Sequence, residues 1–174
     1  LLEGSVSVMV EDMQGREMVL AYLNNGEFFG EMCLFPEQPT RTAIVRTRTH
    51  TLVAEIGYQA FRQLVAEEPD IMFLLAGQLA TRLRDTSQRL ADLAFVDVAG
   101  RVSHELMRLC RMPDAVVEAD GTVVRISRQE LARIVGCSRE MAGRVLKKLE
   151  EDGLVRVKGR SILCLGLSPD TTVE

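Results

Sequence analysis

Apolar and polar residues alternate along the first third of the chain, in short runs separated by turn sequences. The run Gly4–Val10 alternates small or polar residues with apolar ones, and Glu17–Leu23 is a second extended run. Two β-branched runs, Thr42–Thr49 and Thr51–Ile56, predict further strands. Together these runs predict an antiparallel β-roll or barrel. Because an abrupt first strand would leave an unpaired edge, we expect more strands upstream.

A long helical pattern follows at Asp70–Phe95, after a short helix predicted at Tyr58–Val65. Within the long helix, residues recur at alternating spacings of four and three over about three heptads, which predicts pairing with a second copy of the chain. This seam comprises Met72, Ala76, Leu79, Leu83, Thr86, Leu90 and Leu93. We expect a second stripe to pack on the sheet domain: Ile71, Leu74, Leu75 and Gln78. The alternative is an amphipathic helix packed wholly within a monomer.

Two short helices around a glycine turn are predicted in the last third, after a hinge and a helix at Val98–Cys110. Ser127 and Glu130 form a capping-box sequence at the start of the first, and Gly136 provides the turn. This is the helix-turn-helix layout, in which the second helix enters the major groove of DNA. A hairpin predicted at Leu154–Leu165 adds a wing.

The second of these helices is predicted to run from a Ser138 cap to about Asp152. It displays the polar side chains Arg139, Glu140, Arg144, Lys147 and Lys148. Arginine can donate two hydrogen bonds to guanine, and glutamate can accept one from the amino group of cytosine. The two lysines are better placed to contact phosphates. The alternative is a solvated helix face with ordinary charge pairs.

Charge is distributed unequally along the 174 residues, whose net charge is −4. Positions 125–160 carry ten Lys or Arg and five Asp or Glu, a local charge of +5 that leaves −9 on the remainder. The acidic total therefore does not exclude a nucleic-acid partner. The hydrophobic fraction of 47% suits a globular chain with a core, and no apolar run is long enough to predict a membrane span.

Metal and catalytic chemistry have little support in the sequence. The four cysteines, Cys33, Cys110, Cys137 and Cys164, are far apart and are interpreted as reduced thiols. A metal-holding barrel enzyme would need two or three histidines among the strands, and only His50 lies there. We therefore expect no metal and no enzyme. With neither an initiator Met nor a leader sequence, the chain is interpreted as a fragment or processed form of a cytoplasmic protein.

An anion site is a further candidate. Gly26–Glu31 contains two glycines whose flanking N–H groups can approach a ligand, and Arg41 and Thr42 offer a guanidinium and a hydroxyl for a phosphate. Glu31 can accept from sugar hydroxyls. From the residues alone, a β-turn with a surface salt bridge explains this segment equally well.

The stretch Ser127–Glu140, continued by Gly143–Lys147, resembles the DNA-reading motif of bacterial cyclic-AMP receptor proteins. These belong to a wider family that includes the fumarate–nitrate regulators. The resemblance runs without an internal gap from Gly4 to about Gly166. It implies an α+β fold with three parts: a cyclic-nucleotide-binding β-roll at 1–69, a dimerisation helix and hinge at 70–97, and a winged helix-turn-helix at 98–167.

The resemblance also implies cyclic AMP as the effector. The residue matching Glu31 holds the ribose 2′-hydroxyl, and the residue matching Arg41 pairs with the cyclic phosphate. The adenine base is contacted by the residues that match Arg82 and Thr86 and, from the other subunit, by the residue that matches Ser87. The implied nucleotide contacts are thus Gly30, Glu31, Arg41, Thr42, Arg82, Thr86 and Ser87. Two positions depart from the pattern, since Thr42 stands where Ser is usual and Cys33 where Gly is common.

On the DNA side, the residues matching Arg139, Glu140 and Arg144 read the base edges of a TGTGA-like half-site. The full set of implied or inferred DNA contacts is Arg128, Gln129, Ser138, Arg139, Glu140, Arg144 and Lys147. RNA polymerase is a further implied partner, although Ala115–Val123 departs from the relatives where they contact it. We therefore expect a homodimeric regulator of transcription that cyclic AMP switches on. The alternatives are a regulator that answers to another nucleotide, such as cyclic di-GMP, and one active without ligand.

Overall fold

The computed structural model describes residues 1–34 and 43–165. The chain divides into two compact units, and the boundary between Arg89 and Leu90 falls inside the long helix. Both units combine helices with an antiparallel sheet, so the predicted α+β class is confirmed. The finer division at 69/70 and 97/98 stays a prediction.

The first unit contains a three-stranded antiparallel sheet in the order β2–β1–β3. Its strands are β1 (Val6–Glu11), β2 (Glu17–Leu23) and β3 (Ile44–Thr47). Strand β1 overlaps the alternating run Gly4–Val10, β2 matches the extended run Glu17–Leu23, and β3 lies inside the β-branched run Thr42–Thr49. The core of this unit includes Val6, Met9, Val19, Tyr22 and Leu23.

The prediction of a strand over Thr51–Ile56 is wrong. The segment contributes a single antiparallel bridge, between Leu52 and Glu3, and no ladder beyond it. Gly4, with φ +85°, separates this bridge from the ladder of β1 and β3 that begins at Val6. A Cβ at Gly4 would lie 2.2 Å from the carbonyl oxygen of His50, so only glycine fits there.

Two helices complete the first unit, α1 (Tyr58–Glu67) and most of α2 (Asp70–Phe95). The predicted bounds of α2 are confirmed. Leu75 is 1% exposed, as expected for the stripe that faces the sheet domain, but Leu74 is 66% exposed and that part of the prediction is wrong. Along the predicted seam, Leu83 and Leu90 are 69% and 67% exposed.

The second unit begins at Leu90 and holds the last three helices and a four-stranded antiparallel sheet in the order β4–β5–β7–β6. These elements are α3 (Val98–Cys110), β4 (Val116–Glu118), β5 (Gly121–Arg125), α4 (Arg128–Val135), α5 (Arg139–Glu151), β6 (Val155–Lys158) and β7 (Ser161–Leu165). Helix α3 packs against α4, α5 and the sheet. The fully buried side chains include Val102, Leu131, Leu146 and Ile162. This core holds α4 and α5 at a fixed angle on the sheet.

Candidate functional sites

The loop between β2 and the 3₁₀-helix Glu31–Leu34 is the first candidate site. Gly26 and Gly30 adopt φ values of +82° and +83°, a left-handed conformation that favours glycine. A Cβ on either residue would meet no atom of residues 1–34 and 43–165 within 4 Å, so the backbone conformation accounts for these glycines. Within the loop, the N–H of Glu27 donates to the carbonyl oxygen of Asn24 at 3.1 Å.

Helix α2 supplies an arginine to this loop. Nη1 of Arg82 lies 3.1 Å from Oε1 of Glu31, and Nη2 lies 3.7 Å from Oε1 of Glu27. Nη2 also donates to the carbonyl oxygen of Phe28. The side chains of Arg82 and Glu31 are only 21% and 11% exposed, so water screens their attraction less than it screens a surface pair. Nε of Arg82 is buried without a hydrogen-bond partner among the described residues.

One turn earlier on α2, Gln78 contacts the same loop in a way that the sequence interpretation missed. Its Oε1 accepts from the backbone N–H of Phe28 at 3.0 Å, and its Nε2 donates to the carbonyl oxygen of Gly26 at 2.9 Å. The spacing indicates only the face, because Gln78 precedes Arg82 by four residues and residues four apart on a helix share a face.

The remaining predicted nucleotide contacts fall into two groups. Thr86 and Ser87 lie on α2 beyond Arg82, and both are exposed. Thr86 follows Arg82 by four residues and so shares its face. Arg41 and Thr42 lie outside the described residues. The structure thus brings Gly30, Glu31 and Arg82 together and leaves hydroxyl groups exposed further along the same helix.

In the second unit, both helices of the predicted pair have their expected caps. Oγ of Ser127 accepts from the N–H of Glu130 at 3.2 Å, and the carboxylate of Glu130 accepts from the N–H of Ser127 at 3.0 Å, a reciprocal capping box. Gly136 ends α4 at φ +73°, and Ser138 then caps α5 through a 3.1 Å bond from the N–H of Met141. These local bonds fix where α5 begins and which residues form its first turn.

The predicted DNA contacts all lie on exposed surface of α4, α5 or their caps: Arg128, Gln129, Ser138, Arg139, Glu140, Arg144 and Lys147. Hydrogen bonds from its own backbone N–H and from Ser138 lower the pKa of Glu140, which keeps its carboxylate ionised as an acceptor. Lys147 forms an exposed pair with Glu151 at 3.6 Å. Such a pair contributes little stability, so Lys147 is available to a phosphate.

Gly143 lies between these side chains on α5. The nearest atom to a Cβ built there would be Cδ of Arg128, at an ordinary contact distance of 3.9 Å. Nothing in the described part of the second unit therefore requires glycine at this helical position, where glycine is unfavourable. A surface that must approach another molecule closely would require it.

The predicted hairpin forms the wing, with β6 and β7 joined by a turn that contains Gly159 at φ +62°. Oε1 of Glu150 accepts from the N–H of Val157 at 2.8 Å, which ties β6 to α5. Nη2 of Arg160 lies 3.4 Å from Oε2 of Glu130, the capping-box carboxylate. The wing is therefore joined to both helices by polar contacts.

No group of three or more metal-ligating side chains occurs within residues 1–34 and 43–165. In the same ranges, every helix is too short or too polar to cross a membrane. The cysteines described are free thiols.

Comparison with known proteins gives matches for each unit. The model of the cyclic nucleotide-binding domain matches residues 1–68, and that of the bacterial regulatory proteins of the crp family matches residues 124–155. The chain is 50% identical to the cAMP-activated global transcriptional regulator Vfr of Pseudomonas aeruginosa and 47% identical to the cAMP-activated global transcriptional regulator CRP of Salmonella typhimurium. Both alignments cover 95% of this chain and 79% of the relative.

A solved structure is also similar, that of the c-di-GMP-responsive global regulator CLP of Xanthomonas campestris. Its TM-score is 0.87 at 47% identity, over 96% of this chain and 83% of that one. The similarity therefore extends across both units and joins relatives whose names state different nucleotides.

Proposed function

This chain belongs to the crp family of bacterial regulatory proteins, and on that premise we propose that it is a cyclic-AMP-responsive regulator of transcription. It acts as a homodimer that binds TGTGA-like palindromic DNA. Its action is binding and not catalysis, it needs no metal, and it works in the cytoplasm beside the DNA it controls. RNA polymerase is the further partner through which a regulator of this kind changes transcription.

The 3.1 Å ion pair between Arg82 and Glu31 carries the proposal for the nucleotide. Glu31 accepts from the ribose 2′-hydroxyl, and Arg82 holds that carboxylate, while its Nε, which has no hydrogen-bond partner among the described residues, can donate. Gly30 opens the backbone for close approach. The full proposed set is Gly30, Glu31, Arg41, Thr42, Arg82, Thr86 and Ser87, with Arg41 and Thr42 binding the phosphate.

Exposure along α2 supports the dimer. Large apolar side chains on the predicted seam lie open to solvent, Leu83 and Leu90 most of all. A contiguous apolar stripe on a helix is stabilised when a second copy covers it. Thr86 lies in the same seam, so a ligand that bonds to its hydroxyl, and to Ser87 of the other copy, gives those polar groups a partner within an apolar interface.

For DNA, Arg139, Glu140 and Arg144 read base edges while Lys147 contacts phosphate. Arg128, Gln129 and Ser138 contact the backbone near the start of each helix. Nucleotide binding favours the arrangement of the two copies in which both α5 helices match half-sites one helical turn apart. The ligand shifts that equilibrium only by its differential affinity for the two arrangements.

The test is a titration of cyclic AMP into the purified chain, with and without a duplex that contains a TGTGA palindrome. We expect saturating cyclic AMP to tighten specific DNA binding by at least about tenfold, a coupling free energy of about 1.4 kcal/mol. A duplex with a scrambled palindrome is the matched control. Unchanged affinity for the specific duplex at saturating nucleotide would contradict the proposal, and so would high affinity already present without ligand.

Cyclic di-GMP is the second candidate, because the similar regulator CLP is c-di-GMP-responsive. The same titration decides between the two nucleotides. A cyclic di-GMP response combined with no cyclic-AMP response would establish the second candidate. We favour cyclic AMP because Arg82, Thr86 and Ser87 are all present.

A further inference from the structure

We propose that Gln78 is a positioning residue that links the conformation of the nucleotide loop to the register of helix α2. The inference rests on the proposed function, since the loop concerned is the one that would hold the nucleotide. It adds a residue outside the proposed contact set, one that acts through the loop and through Arg82 and touches no nucleotide.

The amide of Gln78 bonds to two backbone groups two residues apart in the loop. Its oxygen accepts from the N–H of Phe28 at 3.0 Å, and its nitrogen donates to the carbonyl of Gly26 at 2.9 Å. Both groups belong to a loop segment that no strand or helix pairs. Because unpaired backbone groups are costly away from water, the loop conformation that meets Gln78 is favoured over others.

The same oxygen of Gln78 also lies 3.5 Å from Nη2 of Arg82. That nitrogen donates in turn to the carbonyl oxygen of Phe28, so Gln78 binds the N–H of Phe28 and Arg82 binds its carbonyl group. Gln78 therefore helps to aim the guanidinium that pairs with Glu31. A change in the conformation of the loop therefore alters contacts with both Gln78 and Arg82, and a movement of α2 alters the same contacts with the loop.

Position along the helix makes this contact sensitive to motion. Leu75, Gln78 and Arg82 are spaced by three and four residues, so they share one face of α2. Leu75, the first of the three, is buried. A shift of α2 by one residue amounts to about 1.5 Å along its axis and a rotation of about 100°. Hydrogen bonds of about 3 Å do not survive either change, so the loop must rearrange with the helix.

The side-chain amide of Gln78 satisfies both loop groups at once, because its oxygen accepts and its nitrogen donates. In Gln78→Glu the carboxylate keeps the acceptor for Phe28 and loses the donor for Gly26. It also places a third carboxylate near Arg82, beside Glu27 and Glu31. Gln78→Met keeps the length of the side chain and removes both bonds. Comparison of the two variants therefore separates the bond to the N–H of Phe28 from the bond to the carbonyl of Gly26.

The experiment measures the coupling ratio, which is the DNA dissociation constant without nucleotide divided by that at saturating cyclic AMP. In Gln78→Met we expect this ratio to fall about fivefold to tenfold, the loss of two net hydrogen bonds of ordinary strength. Gln78→Glu should also lower the ratio. Gln63→Met, at an exposed position on α1, is the matched control and should leave it unchanged.

A second readout follows the loop itself. Hydrogen exchange at the Phe28 amide, without nucleotide, should speed up in Gln78→Met and remain slow in Gln78→Glu, which keeps the acceptor. A merely structural role predicts a different result: weaker nucleotide binding by the same factor with and without DNA, so that the coupling ratio stays constant. That result, or wild-type exchange at Phe28 in Gln78→Met, would overturn the inference.

The outcomes also separate this inference from the proposed function. If the coupling ratio of the wild-type chain is one with cyclic AMP and also one with cyclic di-GMP, the proposed function fails and the inference fails with it. If the wild type couples and Gln78→Met couples equally well, the inference alone is wrong.

Discussion

Arg82 on α2 and Glu31, at the start of the 3₁₀-helix, form an ion pair of 3.1 Å across 51 residues of chain. The guanidinium also approaches Glu27, so two acidic side chains of one loop lie near one arginine. Because both members of the close pair are mostly removed from water, removal of one leaves the other poorly solvated. The pair is thus a sensitive point at which to test the nucleotide site.

Replacement of Arg82 by Met should weaken cyclic-AMP binding by at least about tenfold, because Glu31 loses the cation that orients it. Isothermal titration calorimetry measures the affinity. In a double-mutant cycle with Glu31→Gln, the two effects should be non-additive, as expected for residues in contact. Arg84→Met on the exposed side of α2 is the control. Additive effects of the two substitutions would show that the pair does not act as a unit.

Gly143→Ala should stabilise the chain and weaken its DNA binding at the same time. Alanine is favoured over glycine inside a helix by about 1 kcal/mol, and the added Cβ meets only Cδ of Arg128 at 3.9 Å. Urea unfolding measures the gain, and fluorescence anisotropy with a labelled duplex measures the loss. Stabilisation with unchanged DNA affinity would mean that nothing approaches α5 closely at this position.

Arg144→Ala and Lys147→Ala should affect different properties of DNA binding, the first its sequence specificity and the second its general affinity. Loss of a base contact at Arg144 should cost about 1–3 kcal/mol on the TGTGA duplex and relax specificity at one base pair. Loss of a phosphate contact at Lys147 should weaken binding to specific and random duplexes alike and lower the salt dependence by about one unit of slope. Equal losses on both duplexes for Arg144→Ala would identify it as a phosphate contact.

Leu90→Glu should prevent self-association, because it places a charge on the 67% exposed seam of α2. Sedimentation equilibrium should then show a monomer, where the wild type shows a dimer. The matched control is Leu74→Glu, the same change on the same helix at a residue of 66% exposure that lies off the seam. A dimer in both variants would place the interface elsewhere.

Alkylation of Cys137 should be slow at neutral pH. Burial of this thiol, in the turn before α5, raises its pKa, so a smaller fraction is the reactive thiolate than in the unfolded chain. The rate with iodoacetamide, followed by mass spectrometry, should rise only at pH values above those that activate the same cysteine in urea. Matching pH profiles in buffer and in urea would contradict the expected protection.

Sequence patterns located the helices because their signals are local. The bounds of α2 and α3 and the capping box of Ser127 and Glu130 follow from residues within one or two turns. The strand predicted at Thr51–Ile56 failed because β-branched residues favour extended backbone whether or not a partner strand is there. Pairing depends on a partner strand, and the bridge partner of Leu52 among the described residues is Glu3, which lies far away in sequence.

The nucleotide site shows a similar division. Resemblance supplied Glu31 and Arg82 as candidates, and the structure brings them within 3.1 Å. Gln78 was placed on the face that packs towards the sheet, but its two bonds go to backbone atoms of Gly26 and Phe28, and no pattern of side chains encodes those. Backbone partners can be read only once the loop has a conformation.

The carboxylate of Glu130 closes the capping box of α4 and also pairs with Arg160 on the wing at 3.4 Å. Glutamine would preserve the cap, since its oxygen also accepts a hydrogen bond, but it would remove the negative charge that pairs with Arg160. Aspartate carries the charge on a shorter side chain. A change of Glu130 to glutamine therefore separates the two roles of this side chain, because it keeps the cap of α4 and removes the charge that faces Arg160 on the wing.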